Sequence, residues 1–447
     1  MGLIFISKYR MRITKRYLFG LIMIVMLASP LAKIPIDIFN FTIAPLRGYV
    51  NYNDKPEFTW ESCFSGEYQT NFDSYLEDHI GLRNLLVRLF NQLDLSLFHK
   101  GHAAGVTLGK ENYLYELNYI EAYTGVDFLG DEFIEEKCKK IISIQKELKK
   151  YDTDLIIVFP PGKASYFPEY IPDKYLKYGI GPNNQNTFLR HFHEMGIQHI
   201  DFNSLFIAMK DTTTYPLYPK CGIHWTDYGS YFALDSIVSY VEEVKGIDMV
   251  DFGYEKIEMS SDLKNTDYDI GDAMNLIFRI PDRPMPYLYG FYSDTVAKTK
   301  PDMMVIADSY YWSIYRLRYS FNVWDEHHFR FYNQMLFYDY NKNKDAEFVN
   351  LEELKRFDVI ILMYTEATMK KFANDFIESS YILLKHGERF EEIINSIRGT
   401  DEWLEKVEEK AEKRGITVDE MIRIDAEWVL ENEINKEKHL TITGDGI

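Results

Sequence analysis

The chain has 447 residues, 46% of them hydrophobic and 27% charged, a composition typical of a globular protein with a sizeable core. The formal net charge of −19 argues against nucleic-acid binding, which needs basic surfaces. The three cysteines have no metal-ligand spacing, and no P-loop or GxGxxG motif is present, so we predict neither a metal site nor a cofactor. At most one disulfide could form, and we expect all three cysteines to be small buried residues.

The N-terminus combines basic residues with an apolar run. Five Lys and Arg side chains lie between residues 8 and 16, directly before the apolar residues 17–32. This order holds the N-terminus in the cytoplasm and sends the rest of the chain across the membrane. The run is slightly shorter than the ~20 residues of an untilted span. A cleaved signal peptide is the alternative, but Pro30 spoils the small-residue cleavage pattern, so we predict an uncleaved single-pass anchor.

The next elements are a linker, a helical region and a hairpin. Residues 40–70 contain turn formers that break any periodicity, which indicates a linker. The apolar residues of segment 72–98 follow helical spacing. The segment GKENYLY, residues 109–115, is typical of a hairpin strand with its turn.

Strands and helices then alternate. The pattern predicts helices at 133–150, 186–194 and from the GIHWTDYGSY block to residue 244, and strands at 154–159, 198–202, 303–309 and 357–363. Residues 245–300 read as irregular. Because each strand is a continuous apolar run, we predict a parallel α/β sheet covered by helices on both faces. Residues 387–447 are charged with helical periodicity and indicate a tail of two or three helices.

Two blocks carry the residues of a nucleophilic site. In MMVIADS, residues 303–309, a strand runs into Ser309 and places its hydroxyl at the carboxyl edge of the sheet, where such folds bind ligands. In GIHWTDYGSY, residues 222–231, His224 precedes a helix. A serine and a histidine can act as nucleophile and base in acyl transfer, with the Ser309 backbone N–H as an oxyanion donor. The ordinary alternatives are a helix-capping serine and a structural histidine beside Trp225.

These blocks resemble the AlgX/AlgJ-type SGNH-hydrolase-like proteins of exopolysaccharide O-acetylation. The resemblance also includes VFPPGKASYFPEYIP (158–172), DHIGLRNLLVRLFN (78–91) and GKENYLYE (109–116), and it spans about residues 70–370. It implies a three-layer SGNH-hydrolase-like domain, which we place at residues 71–386. Residues 1–39 would hold the basic flank and anchor, residues 40–70 the linker and residues 387–447 the helical tail. Family members are periplasmic or membrane-anchored, which implies an inner-membrane protein with its body in the periplasm.

Two positions depart from the family pattern. Gly222 stands where the family has an Asp that orients the histidine, and Ala307 stands where it has a Gly before Asp-Ser. The first departure removes the usual acid partner of the imidazole. Asp201 and Asp227 are candidate substitutes, although Asp227 also fits a role in the first turn of a helix.

Asp308 and Lys163 complete the predicted site. The resemblance gives Asp308 a structural role beside the nucleophile. Lys163 follows a strand in the PPGK turn, where it either lines the site or caps the turn.

The resemblance implies O-acetyl transfer to an extracytoplasmic polysaccharide. Ser309 would form the acyl-enzyme, His224 would carry the proton, and a membrane-bound acyltransferase would supply acetyl groups. Two alternatives remain open: an acetylesterase, and a non-catalytic carbohydrate-binding component of an export complex, which Gly222 favours.

Overall fold

The computed structural model describes residues 17, 19–21, 23–24, 43–48, 50, 52–79, 81–317, 319–339 and 342–444. The predicted anchor and its basic flank lie almost entirely outside these residues. No helix within the described part of the chain combines the length and apolar character needed to cross a membrane.

Helices and strands follow one another through most of the described chain. The helices are α1 Trp60–Ser65, α2 Glu67–His79, α3 Arg83–Phe98, α4 Leu117–Thr124, α5 Asp131–Leu148, α6 Lys163–Tyr166, α7 Asp173–Leu176, α8 Asn184–Met195, α9 Phe202–Met209, α10 Asp227–Lys245, α11 Asp269–Ala273, α12 Tyr311–Tyr315, α13 Ser320–Val323, α14 Leu351–Arg356, α15 Phe376–Arg398, α16 Asp401–Arg414 and α17 Val418–Gly444. The strands are β1 Val106–Leu108, β2 Leu114–Glu116, β3 Asp154–Phe159, β4 His199–Asp201, β5 Asp251–Ser260, β6 Met285–Asp294, β7 Met303–Ala307, β8 His327–Phe331, β9 Met335–Asp339, β10 Lys342–Asp345 and β11 Val359–Met363.

A first compact unit contains Met1–Leu117 with two later segments, Lys220–Ile223 and Tyr268–Arg283. The predicted linker contains α1, which begins with a capping box at Thr59. The predicted helical region forms α2 and α3, which are separated where Leu82 adopts a left-handed backbone with φ 66°. The hairpin pairs β1 with β2, so most of the segment predicted as a strand is its turn.

A second unit contains Asn118–Pro219, His224–Asp267 and Pro284–Ile447, and it holds a seven-stranded sheet. The strand order is β10-β9-β8-β7-β11-β3-β4. Strands β8, β7, β11, β3 and β4 are parallel, whereas β9 and β10 are antiparallel additions at one edge. The sheet is therefore mixed, and the prediction of a parallel sheet was wrong at this edge.

The central strands are buried on both faces, as their continuous apolar sequences predict. Every residue of β3, β7 and β11 is buried, which requires a covering layer on each side of the sheet. Ala307 at the end of β7 aligns with Met363 at the end of β11. The carboxyl ends of these neighbouring strands therefore lie at the same edge.

The helical C-terminus packs on the same core as the sheet. Phe159 of β3 and Ile306 of β7 share one buried cluster with Ile397 of α15, Val407 of α16 and Leu430 of α17. Burial of apolar surface at about 25 cal/mol per Å² explains why charged, amphipathic helices dock here. The division at residues 386 and 387 stays a prediction, although α15 is kinked at His386.

The stretch predicted as irregular contains a long antiparallel pair. Strands β5 and β6 pair from Asp251 opposite Asp294 to Ser260 opposite Met285. Much of β5 is exposed, so its sequence lacks the apolar alternation that would reveal a strand. All three cysteines are free thiols; Cys138 and Cys221 are buried, but Cys63 is only half-buried, contrary to expectation.

Candidate active site

Ser309 lies at the carboxyl edge of the sheet. It follows β7 by two residues, in the turn that leads to α12. Strand β7 lies between β11 and β8 in the sheet, so its backbone is held by hydrogen bonds on both sides. The half-buried Ser309 side chain is thus presented by a rigid element.

His224 is positioned by the two residues that follow it in the sequence. Trp225 is 1% exposed and packs against Phe202 and Phe206. Thr226 is the N-cap of α10, where its hydroxyl accepts the Gly229 N–H. The imidazole therefore projects from a segment that is anchored immediately after it.

The predicted contact between the two side chains is present. Nε2 of His224 lies 3.0 Å from Oγ of Ser309, although 85 positions separate them in the sequence. In the tautomer with an unprotonated Nε2, the serine hydroxyl donates to the imidazole. This is the geometry in which a histidine can take the proton of an attacking serine.

Asp308 holds the nucleophile turn through a buried network. One carboxylate oxygen accepts the Thr365 N–H, the Thr365 hydroxyl and the Thr368 hydroxyl, each at 2.8 Å. The other accepts the Tyr310 N–H at 3.0 Å. The network joins the residue before Ser309 to the loop that follows β11, which agrees with a structural role.

The Ser309 backbone N–H has no hydrogen-bond acceptor among the described residues. It lies in the same turn as the hydroxyl that would attack an acyl group. An amide in this position can stabilise the negative oxygen of a tetrahedral intermediate.

The other predicted site residues are placed as follows. The side chain of Lys163 is completely buried at the start of α6. Its role in lining the site stays a prediction. Asp201 caps α9 by accepting the N–H groups of Asn203 and Ser204. Asp227 accepts the Asn265 side-chain amide, and burial raises the pKa of its carboxyl. No hydrogen bond joins either acid to His224 among the described contacts. The structure therefore does not support the prediction that Asp201 or Asp227 takes the place of the family's acid.

Glu366 is a buried acid at the same edge that sequence reasoning missed. It is 3% exposed, and one of its oxygens accepts the Ser165 hydroxyl at 2.5 Å. The other oxygen has no partner among the described residues and sits over Gly162, where an added Cβ would lie 1.8 Å away. The available signal was its position three residues after the end of the apolar strand β11.

Glu366 should make stability depend on pH. Burial raises the pKa of its carboxyl from 4.5 to about 7. Between these values the folded state keeps a proton that the unfolded chain releases, so the free energy of unfolding falls as the pH rises, by about 3 kcal/mol in all. We expect Glu366→Gln, which stays neutral, to remove this part of the fall in urea unfolding measured from pH 4.5 to 7.5.

The control for this prediction is Glu352→Gln, because the Glu352 side chain is 90% exposed. It should follow the pH dependence of the parent protein. The same slope in Glu366→Gln and the parent would contradict the assignment of the effect to Glu366.

Within the described residues, no group of three or more His, Cys, Asp and Glu side chains is placed to hold a metal ion.

Comparison with known proteins identifies one segment of the chain. Residues 106–276 match the family described as the SGNH hydrolase-like domain of the acetyltransferase AlgX. This segment includes His224 and ends before Ser309, so the pairing of the two side chains rests on the geometry given above. A search of curated proteins found no match.

Solved structures with a similar arrangement include three bacterial proteins. The O-acetyltransferase domain of AlgJ from Pseudomonas putida has 13% identity and a TM-score of 0.38, over 62% of this chain and 98% of its own. AlgX from Pseudomonas aeruginosa has 13% identity and a TM-score of 0.40, over 62% and 66%. PatB1 from Bacillus cereus has 11% identity and a TM-score of 0.38, over 59% and 96%. The family match confirms the predicted resemblance: residues 106–276 are similar to the SGNH hydrolase-like domain of the acetyltransferase AlgX.

Proposed function

We propose that this protein transfers O-acetyl groups to an extracytoplasmic polysaccharide through an acyl-enzyme on Ser309. The observation that carries the proposal is the 3.0 Å contact between His224 Nε2 and Ser309 Oγ at the carboxyl edge of the sheet. The family match of the segment that bears His224 supports acetyl chemistry over other acyl transfers.

The reaction would use the described groups in two steps. His224 takes the proton of Ser309 as Oγ bonds to the acetyl carbon, and the Ser309 N–H stabilises the oxyanion. The leaving group receives the proton from His224, and a sugar hydroxyl then attacks the acetyl-serine with His224 again as base. A membrane-bound acyltransferase is the proposed source of acetyl groups.

The proposed location is the outer side of the inner membrane. Its support is the order of the N-terminal sequence, in which basic residues precede the apolar residues 17–32. Such an anchor would keep the site near a membrane-bound donor.

A non-catalytic, carbohydrate-binding role is the second candidate. Gly222 favours it, because the position has no side chain to orient the imidazole. Loss of a triad acid can reduce turnover by about 10⁴-fold while leaving serine and histidine chemistry above the background rate.

The test uses the purified protein with an acetyl ester, with and without a sugar acceptor. We expect measurable release of the leaving group and acetylated sugar that mass spectrometry detects. Acetate as the only product, even at high acceptor concentration, would identify an esterase. Absence of any turnover together with binding of the glycan would favour the carbohydrate-binding role.

A further inference from the structure

The residue directly after Ser309 is in contact with the imidazole. The ring of Tyr310 is fully buried, and its centroid lies 4.8 Å from that of His224, at an interplanar angle of 49°. The Tyr310 ring also meets Trp225, edge-on, at 5.5 Å. The ring of Tyr310 therefore supports the segment that carries the base. Tyr310 is also the next residue in the chain after the nucleophile, Ser309.

A second tyrosine fixes this ring at its hydroxyl end. The Tyr310 hydroxyl lies 2.5 Å from the Tyr218 hydroxyl, which donates to the carbonyl of Pro161 at 2.5 Å. Because a carbonyl can only accept, Tyr218 uses its single proton there, and Tyr310 donates to Tyr218. Burial raises the pKa of both phenols well above the usual value, so both remain neutral and neither exchanges protons with His224.

The contact matters most when the imidazole is charged. As Oγ of Ser309 bonds to the acyl carbon, the electron pair of the O–H bond stays on oxygen and the proton passes to Nε2. The resulting imidazolium lasts until it gives that proton to the leaving group. A cation over the face of an aromatic ring, within about 6 Å of its centroid, is attracted by the ring, more strongly where water is excluded.

We propose that Tyr310 is a positioning residue for His224: its ring holds the imidazole against Ser309 and stabilises the imidazolium, while Tyr218 fixes the ring. The inference rests on the proposed function, since it concerns the same pair of side chains. It assigns the effect to the ring of Tyr310 and not to its hydroxyl.

The experiment compares Tyr310→Phe, which keeps the ring, with Tyr310→Leu and Tyr310→Met, which remove it at similar bulk. With an aryl acetate, we expect kcat to fall about tenfold in the Leu and Met variants and less than threefold in the Phe variant, with KM nearly unchanged in all. The acid limb of the pH profile should move in the variants without a ring and stay in place in Tyr310→Phe. Thermal unfolding of each variant selects those that fold.

A second measurement does not need turnover. The rate at which a fluorophosphonate labels Ser309 depends on the same proton transfer to His224, and it should show the same order, with the Phe variant close to the parent. Tyr218→Phe should lower thermal stability and slow labelling to an intermediate extent, because it removes the hydrogen bond between the two tyrosines and keeps both rings.

The outcomes separate this inference from the proposed function. Labelling that is equally fast in the Leu, Met and Phe variants would overturn the role of the ring, whatever the protein acetylates. Slow labelling confined to the Leu and Met variants would support it even if no acetyl acceptor were found.

Discussion

Replacing Ser309 with alanine is expected to reduce acetyl-ester turnover to the background rate, by about 10²-fold in an enzyme that already lacks the usual triad acid. Oγ of Ser309 is the atom that would carry the acetyl group, and it lies 3.0 Å from the base that would activate it. The substitution removes this atom at the end of a strand and leaves the hydrogen bonds of Asp308 in place. Activity should therefore be lost with little change in the free energy of unfolding.

The matched control is Ser313→Ala. Ser313 lies four residues further along, on α12, and is 8% exposed. Its hydroxyl is buried with no hydrogen-bond partner among the described residues. We expect this variant to keep the activity of the parent, because it loses no interaction and lies outside the contact with His224.

The measurement combines an aryl acetate assay with intact-protein mass spectrometry. Incubation with an acetyl donor should add one acetyl group to the parent and to Ser313→Ala but none to Ser309→Ala. Equal traces of hydrolysis in the parent and in Ser309→Ala would remove the basis for an enzyme and favour the carbohydrate-binding role.

The central strands could be predicted because a strand that is buried on both faces has a continuous apolar sequence. The run DLIIVF coincides with β3, whereas MMVIADS contains β7 and FDVIILM contains β11. The three strands end at one sheet edge, so the carboxyl-end argument was sufficient to place Ser309.

Strand β8 could not be predicted in the same way, because its sequence HHFRF contains charged and titratable residues. The structure accommodates Arg330 there by giving its buried guanidinium three acceptors, from Asn333, Glu353 and the carbonyl of Glu347. Glu353 and the Glu347 carbonyl are distant from Arg330 in the sequence, and an asparagine three residues away, Asn333, is too common to form a recognisable pattern. The antiparallel strands β9 and β10 extend from β8 and were missed with it.

The pair of Ser309 and His224 was predictable from chemistry, whereas the groups that support it were not. The chain has 34 tyrosines, so nothing in the sequence separates Tyr310 and Tyr218 from the rest. Their hydroxyls meet across 92 positions, which only the tertiary structure can show. Glu366 and Thr365 were open to prediction in part, since they follow β11 at the edge where Ser309 also lies.

The second large effect is expected at Asp308. Alanine at this position would leave the N–H groups of Tyr310 and Thr365 without an acceptor. It would also remove the carboxylate from the hydroxyls of Thr365 and Thr368, which keep as acceptors only each other and the Thr365 carbonyl. Asp308 is 1% exposed and Thr365 is fully buried, so water cannot replace the carboxylate without rearrangement. Removal of one partner from a buried, charged network costs about 3–5 kcal/mol, and we expect Asp308→Ala to lose this much stability.

Asp308→Asn separates the loss of charge from the loss of shape. An amide can place its oxygen toward the two threonines, but its NH₂ group then faces the Tyr310 N–H, and two donors meet. We expect a loss of about 2–3 kcal/mol, between the parent and Asp308→Ala. The control is Asp227→Asn, whose carboxylate has the Asn265 amide as its described hydrogen-bond partner and should change stability by less than about 1 kcal/mol.

Activity should follow the same network, because Asp308 precedes Ser309 and binds the N–H of Tyr310 on its other side. A displacement of the nucleophile by about 1 Å can reduce turnover 10²-fold. We expect a loss of this size in Asp308→Asn at a temperature where urea unfolding shows the variant to be folded. Full activity in a folded Asp308→Asn would show that the carboxylate stabilises the fold without positioning Ser309. Unchanged stability in Asp308→Ala would contradict the buried network itself.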